Sequence, residues 1–223
     1  MMRTPRTRVG GVLAALATCL GVAAAPAHAA PDATVGPGHA LRYVSAHGSS
    51  TCTLGFTFRA NAHTYGVTAG HCVAAGPGYA QDLASGYRGR VVSYDYDPSR
   101  IGNDFALIDF GNTPVASTLL DAPIMAAAAP TADHAICHTG TASGTSCGVL
   151  SSRYGTQYLA TGLADTPGDS GGPVWTRAGI DGVAIIGIWL GSHTDNNGST
   201  YGRFYPIKEA LTGLGLRTAA EQM

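Results

Sequence analysis

Thr166-Pro167-Gly168-Asp169-Ser170-Gly171-Gly172-Pro173 sets one serine among three glycines. Glycines allow a tight turn that presents the hydroxyl and leaves neighbouring backbone N–H groups free to face a ligand. Gly168-x-Ser170-x-Gly172 also fits the strand-to-helix elbow of the α/β hydrolases. That arrangement needs an acid and a histidine after the serine, in a chain where strands alternate with helices. Only 53 residues follow Ser170, and no helical pattern alternates before it, so the elbow reading fails.

The opposite order works. Upstream of the serine lie Val67-Thr68-Ala69-Gly70-His71-Cys72 and Gly102-Asn103-Asp104-Phe105-Ala106-Leu107. Histidine, then aspartate, then serine is one of the chain orders in which a nucleophile, its base and an orienting acid recur. Around these motifs, short β-branched and aromatic runs recur between turn residues: 53–58, 64–68, 90–94, 105–110, 147–150, 172–175 and 183–189. This rhythm belongs to an antiparallel sandwich or barrel. Residues 112–134, alanine-rich with Pro114 and Pro130, read as a connection between two halves. Only Pro206 to Leu214, with Ile207, Ala210, Leu211 and Leu214 at helical spacing, reads as a helix.

Composition agrees. Charged residues are 12% of the chain, with a single lysine (Lys208) and two glutamates (Glu209, Glu221), so strong helix formers are scarce and a helical bundle is excluded. The 31 glycines and 12 prolines follow no repeat. A net charge of −1 gives no electrostatic reason to expect nucleic acid as a partner.

Residues 1–29 carry Arg3, Arg6 and Arg8, then an apolar run, then Ala27-His28-Ala29. That is the order of a secretory signal peptide with its cleavage site. No later stretch has the 18 or more apolar residues of a membrane span, so an exported protein without a membrane anchor is expected. Residues 30–40 read as a short, loose leader. Cys19 leaves with the signal, and Cys52, Cys72, Cys137 and Cys147 remain. Four cysteines in an oxidising compartment imply two disulfides with three connectivities. Spacing favours Cys52–Cys72 and Cys137–Cys147. No ligand spacing supports a zinc site, and neither metal nor cofactor is expected.

The three motifs in order, the cysteine joined to the histidine motif and the Cys137…Cys147-Gly148 loop resemble the chymotrypsin-like serine peptidases, most closely the secreted bacterial streptogrisins and α-lytic-type proteases. The similarity runs from about Tyr43 to the end of the chain. It implies an all-β fold of two six-stranded antiparallel barrels with a short C-terminal helix, one over residues 41–120 and the other over 121–223. It further implies a secreted serine endopeptidase, expected as a monomer, acting on peptide or protein substrates. Ser170 would be the nucleophile, His71 its general base, and Asp104 the group that holds the imidazole tautomer. The N–H groups of Gly168 and Ser170 would form the oxyanion hole.

The chain also departs from that pattern. Ala164 stands where many relatives have a cysteine of a third disulfide. Trp189-Leu190-Gly191-Ser192 replaces the usual Ser-Gly-Gly strand, and Leu190 occupies the place of a serine that supports the catalytic aspartate. Ala164, Trp189, Leu190 and Gly191 are the expected substrate-pocket residues. With no evident counter-charge among them, an uncharged or apolar residue is expected before the scissile bond. Relatives usually carry a long folding pro-region, for which residues 30–40 leave no room. His138 replaces an arginine that in bacterial relatives pairs with the aspartate before the nucleophile, so a His138–Asp169 pair with a raised histidine pKa is expected. A non-catalytic binding protein on the same scaffold is the rival reading.

Overall fold

The computed structural model describes residues 34–131 and 135–216. The signal-peptide reading of residues 1–29 lies outside them.

Two sheets carry the fold. The first is built from β1 (Ala40–Ser45), β2 (Gly48–Thr53), β3 (Phe56–Ala60), β4 (His63–Thr68), β5 (Gly78–Asp82), β6 (Arg88–Tyr96) and β7 (Asp104–Asp109), in the order β2-β1-β5-β6-β7-β4-β3. The second contains β8 (Thr118–Leu119), β9 (Ala122–Ala127), β10 (Ala135–Gly140), β11 (Gly144–Tyr154), β12 (Gln157–Thr161), β13 (Pro173–Ala178), β14 (Gly182–Thr194) and β15 (Thr200–Pro206). Its order is β13-β10-β11-β12-β15-β14-β9-β8, and a further β13–β14 pairing closes six of these strands into a barrel. The first sheet has seven strands and curls without closing. All pairings between these strands are antiparallel except β9 with β14, which is parallel, as is the isolated bridge between Val35 and Val115.

Most of the apolar runs land in strands. The run 105–110 corresponds to β7, buried along its whole length because β4 and β6 flank it. The run 53–58 is broken: β2 ends at Thr53, and the N–H groups of Leu54 and Gly55 turn to His39 and Val67 carbonyls. Gly55 permits this because a Cβ there would overlap the Gly171 carbonyl and Ile188. Residues 112–134, expected as a connection, contain β8 and β9. Helix α1 (Ile207–Gly213) forms as the pattern predicts, with Ile207, Ala210 and Leu211 buried and Pro206 at its N-cap.

The described part of the expected loose leader is instead held. Val35 is fully buried, and backbone hydrogen bonds join it to Pro114 and Ala116. Gly38 donates to Leu54, and His39 Nδ1 lies 2.9 Å from the buried Asp82 carboxylate. An apolar side chain with satisfied backbone groups stays with the core.

Both disulfides have the expected pairing, Cys52–Cys72 and Cys137–Cys147. The second joins directly opposed residues of β10 and β11.

Candidate active site

His71 sits on a 3₁₀ turn, Gly70–Cys72, that follows β4. Gly70 lets this turn press against β6 and β7, since a Cβ would overlap the Asp95 carbonyl and crowd Phe105. Asp104 opens β7 and is almost wholly buried. Its Oδ1 accepts the His71 backbone N–H at 2.9 Å, and its Oδ2 lies 2.8 Å from His71 Nδ1. A carboxylate can only accept, so Nδ1 carries the proton and Nε2 is left as the lone-pair nitrogen.

The preceding Asn103 is clamped from both sheets. Its amide donates to Asp95 Oδ2 at 2.7 Å and its carbonyl accepts the Tyr205 hydroxyl at 2.9 Å. Burial pushes the Tyr205 phenol up to about 12, so it stays a donor.

The serine turn is tied almost everywhere. Gly168 and Gly171 have φ of +111° and +84°, which favour glycine. The Ser170 carbonyl accepts Thr53 N–H at 2.8 Å, and the Gly168 carbonyl accepts Thr53 Oγ1 at 2.8 Å. Gly171 N–H donates to Trp189 O, and Trp189 N–H returns a bond to Gly172 O. Fully buried Asp169 receives Ala142 N–H at 2.9 Å and Ser143 N–H at 3.0 Å on Oδ1, and Thr166 N–H at 2.8 Å on Oδ2. The N–H groups of Gly168 and Ser170 donate to no acceptor among the described residues.

Thr53 links the histidine and serine elements. It belongs to the first sheet, holds the Ser170 turn, and receives Thr68 Oγ1 on its carbonyl at 2.8 Å. Its neighbour Cys52 is bonded to Cys72, the residue after His71. No hydrogen bond joins Ser170 Oγ to His71 among the described residues; such bonds often tighten only when substrate binds. Cys52, His71 and Cys72 place potential ligand atoms within 4.8 Å of one another. The two sulfurs are bonded to each other, so no thiolate is presented.

The His138–Asp169 expectation is corrected. Asp169 is satisfied by three backbone N–H groups, while His138 is fully buried and neither ring nitrogen has a partner. Burial pushes its pKa down to about 4, although Asp169 and Asp165 pull the other way. Its ring packs on Trp189 instead, 4.2 Å between centroids.

The expected pocket residues separate. Trp189 and Leu190 are buried, Ala164 is exposed, and Gly191 is intermediate. The Trp189 indole packs in the core with Ile136 and Phe204 and lies over Gly202, where any Cβ would overlap it. Asp165, exposed beside Gly191, adds a carboxylate to this region. Asp165 accepts Trp189 Nε1–H and Ser192 N–H, each at 2.8 Å. Although partial burial opposes ionisation, these hydrogen bonds hold Asp165 below its ordinary pKa. Its place two residues after Leu163 carried no local signal; the partners come from β14.

No protein-family model matches the chain. Among solved structures, Thermobifida fusca protease A superposes with a TM-score of 0.63 at 22% identity, over 82% of this chain and 97% of that one. Cellulomonas bogoriensis chymotrypsin gives 0.60 at 20% identity, over 82% and 96%. An inactivated protease paralogue of the scabies mite gives 0.53 at 16% identity, over 78% and 90%. Two curled sheets, a short C-terminal helix and these superpositions give this chain the fold of the chymotrypsin-like bacterial serine proteases.

Proposed function

We propose that the protein is a secreted serine endopeptidase that hydrolyses peptide bonds through an acyl-enzyme. The observation that carries this reading is the pair of contacts from Asp104 to His71 at 2.8 and 2.9 Å, set near a serine turn with two uncommitted N–H groups. Ser170 Oγ attacks the scissile carbonyl as its proton passes to His71 Nε2. The oxyanion is received by the N–H groups of Gly168 and Ser170, where each donor is worth on the order of 10²–10³ in rate. The C–N bond breaks as His71 returns the proton to the leaving amine. Water, deprotonated by the same imidazole, then releases the acid and restores the serine. Two disulfides suit an oxidising compartment, and no described helix is long and apolar enough to cross a membrane.

The rival reading, a binding protein that keeps the scaffold, draws on buried Leu190 in place of a polar support for Asp104 and on the inactivated fold neighbour. A fluorophosphonate probe separates the two. The endopeptidase reading expects labelling of the wild type at pH 7–8 and none of Ser170→Ala. Absence of labelling in well-folded wild type overturns it.

A further inference from the structure

A cavity of about 540 Å³ opens between the loop before Asp104, β11 and the outer end of β14. Ile101, Leu159 and Tyr201 give it apolar wall. Three cationic or protonatable groups also line it: Arg203, Arg100 and His193. Arg203 is only 6% exposed, yet no carboxylate among the described residues pairs with it. Its Nη1 donates to the Arg100 carbonyl at 2.6 Å and to Gln157 Oε1 at 3.2 Å, while its buried Nε has no partner.

The surrounding acids are committed elsewhere. Asp195 also lines the cavity, but its Oδ1 accepts the N–H groups of Asn197 and Ser199 in its own turn, each at 2.9 Å. Asp97 is bound to Ser99, Asp104 to His71, Asp165 to Trp189 and Ser192, and Glu209 to Arg153. A buried guanidinium with a second arginine beside it is costly unless an anion offsets it. Burial and then the Arg100 charge hold Arg203 below its ordinary pKa, against the opposing pull of Asp104 and Asp165.

The cavity is placed to meet a peptide. The β13 register on β14 stops at Ile188, whereas β15 continues along the other side to Thr194. Beyond the Trp189–Gly171 bond no described strand pairs with this edge of β14 on its way to His193, although Asp165 takes the Ser192 N–H there. A peptide added to this edge passes Gly191, which has no side chain to cover Arg203 opposite it in the β14–β15 register.

We propose that this cavity is a subsite for an acidic side chain of the substrate, a few residues from the bond cut, with its carboxylate against Arg203 and Arg100. The proposal rests on the endopeptidase reading for the identity of its ligand. Glutamate suits it best, because its methylenes reach past the apolar wall before the charge meets the guanidinium.

The test uses folded Ser170→Ala protein and two fluorescent peptide pools, random except for one fixed position that is glutamate in one pool and glutamine in the other. Fluorescence anisotropy should show the glutamate pool binding about tenfold tighter or more, as a charge-assisted hydrogen bond allows. In Arg203→Met and in the exposed-site variant Arg100→Gln the advantage should shrink toward parity. The ratio between pools is unmoved by any effect of Arg203 on Asp104, and Arg100→Gln tests the idea even if Arg203→Met does not fold. Equal binding of the two pools overturns the proposal, as does a glutamate preference that survives both variants. Fluorophosphonate labelling of the wild type, run in parallel, reports separately on the endopeptidase reading.

Discussion

The imidazole of His138 and the indole of Trp189 lie 4.2 Å apart, centroid to centroid, both fully buried in the second barrel. The contact explains two departures at once. Trp189 enters the core, and the buried histidine beside it is held neutral, whereas a salt bridge to Asp169 would have kept it charged. Asp169 does not need that partner, because the backbone of residues 142, 143 and 166 supplies its donors.

Stability should therefore fall on the acid side. Unfolded, the histidine takes up a proton near pH 6.5; folded, it resists protonation until about pH 4. The unfolded chain binds more protons between these values, so the contribution of neutral His138 is full above pH 6.5 and is lost as pH falls toward 4. The loss amounts to roughly 3 kcal/mol, from one proton over that window. Melting temperature measured against pH should decline through it, and His138→Leu should flatten the decline. An unchanged slope in that variant contradicts the assignment.

Gly140→Ala should damage activity. A Cβ at this position would overlap the Asp169 carboxylate, which orders the turn carrying Gly168 and Ser170. Displacing one oxyanion donor costs on the order of 10²–10³ in kcat. Peptide cleavage should fall by about that factor in protein that retains its circular dichroism. Near wild-type kcat would show that the turn does not depend on the Asp169 position.

Asp104→Asn should lower kcat by on the order of 10⁴, because an amide can favour the wrong imidazole tautomer. Fluorophosphonate labelling should slow in parallel. Labelling at the wild-type rate would remove Asp104 from the catalytic arrangement.

The two disulfides should behave differently. Replacing Cys137 and Cys147 by serine removes a crosslink between neighbouring strands and should cost about 2–4 kcal/mol, read from denaturant midpoints. Replacing Cys52 and Cys72 should also depress activity at temperatures where the protein stays folded, since this bond joins the His71 turn to the strand whose Thr53 holds Ser170. Equal loss of stability with no loss of activity would deny it that positioning role.

What the sequence by itself determined was local and ordered along the chain. Short β-branched and aromatic runs marked β4, β7 and β14, and the helical spacing from Ile207 marked α1. Cysteine spacing pointed to the disulfide pairing, and the order His71, Asp104, Ser170 picked out the residues that the fold then brings to one region. Strand β8 escaped because two residues make no pattern, and β9 because alanine has little intrinsic β preference and its place is fixed by parallel pairing with a strand some 60 residues later. Val35 escaped because a single apolar residue between Thr34 and Gly36-Pro37 has no period to read. The reversal at His138 and the hydrogen bonds of Asp165 were beyond any local pattern. Whether a histidine is charged, and which N–H groups a carboxylate receives, depends on neighbours brought by other strands: Trp189 against His138, Ser192 against Asp165, Ala142 and Ser143 against Asp169. Burial and through-space partners set those energies, and only tertiary structure supplies them.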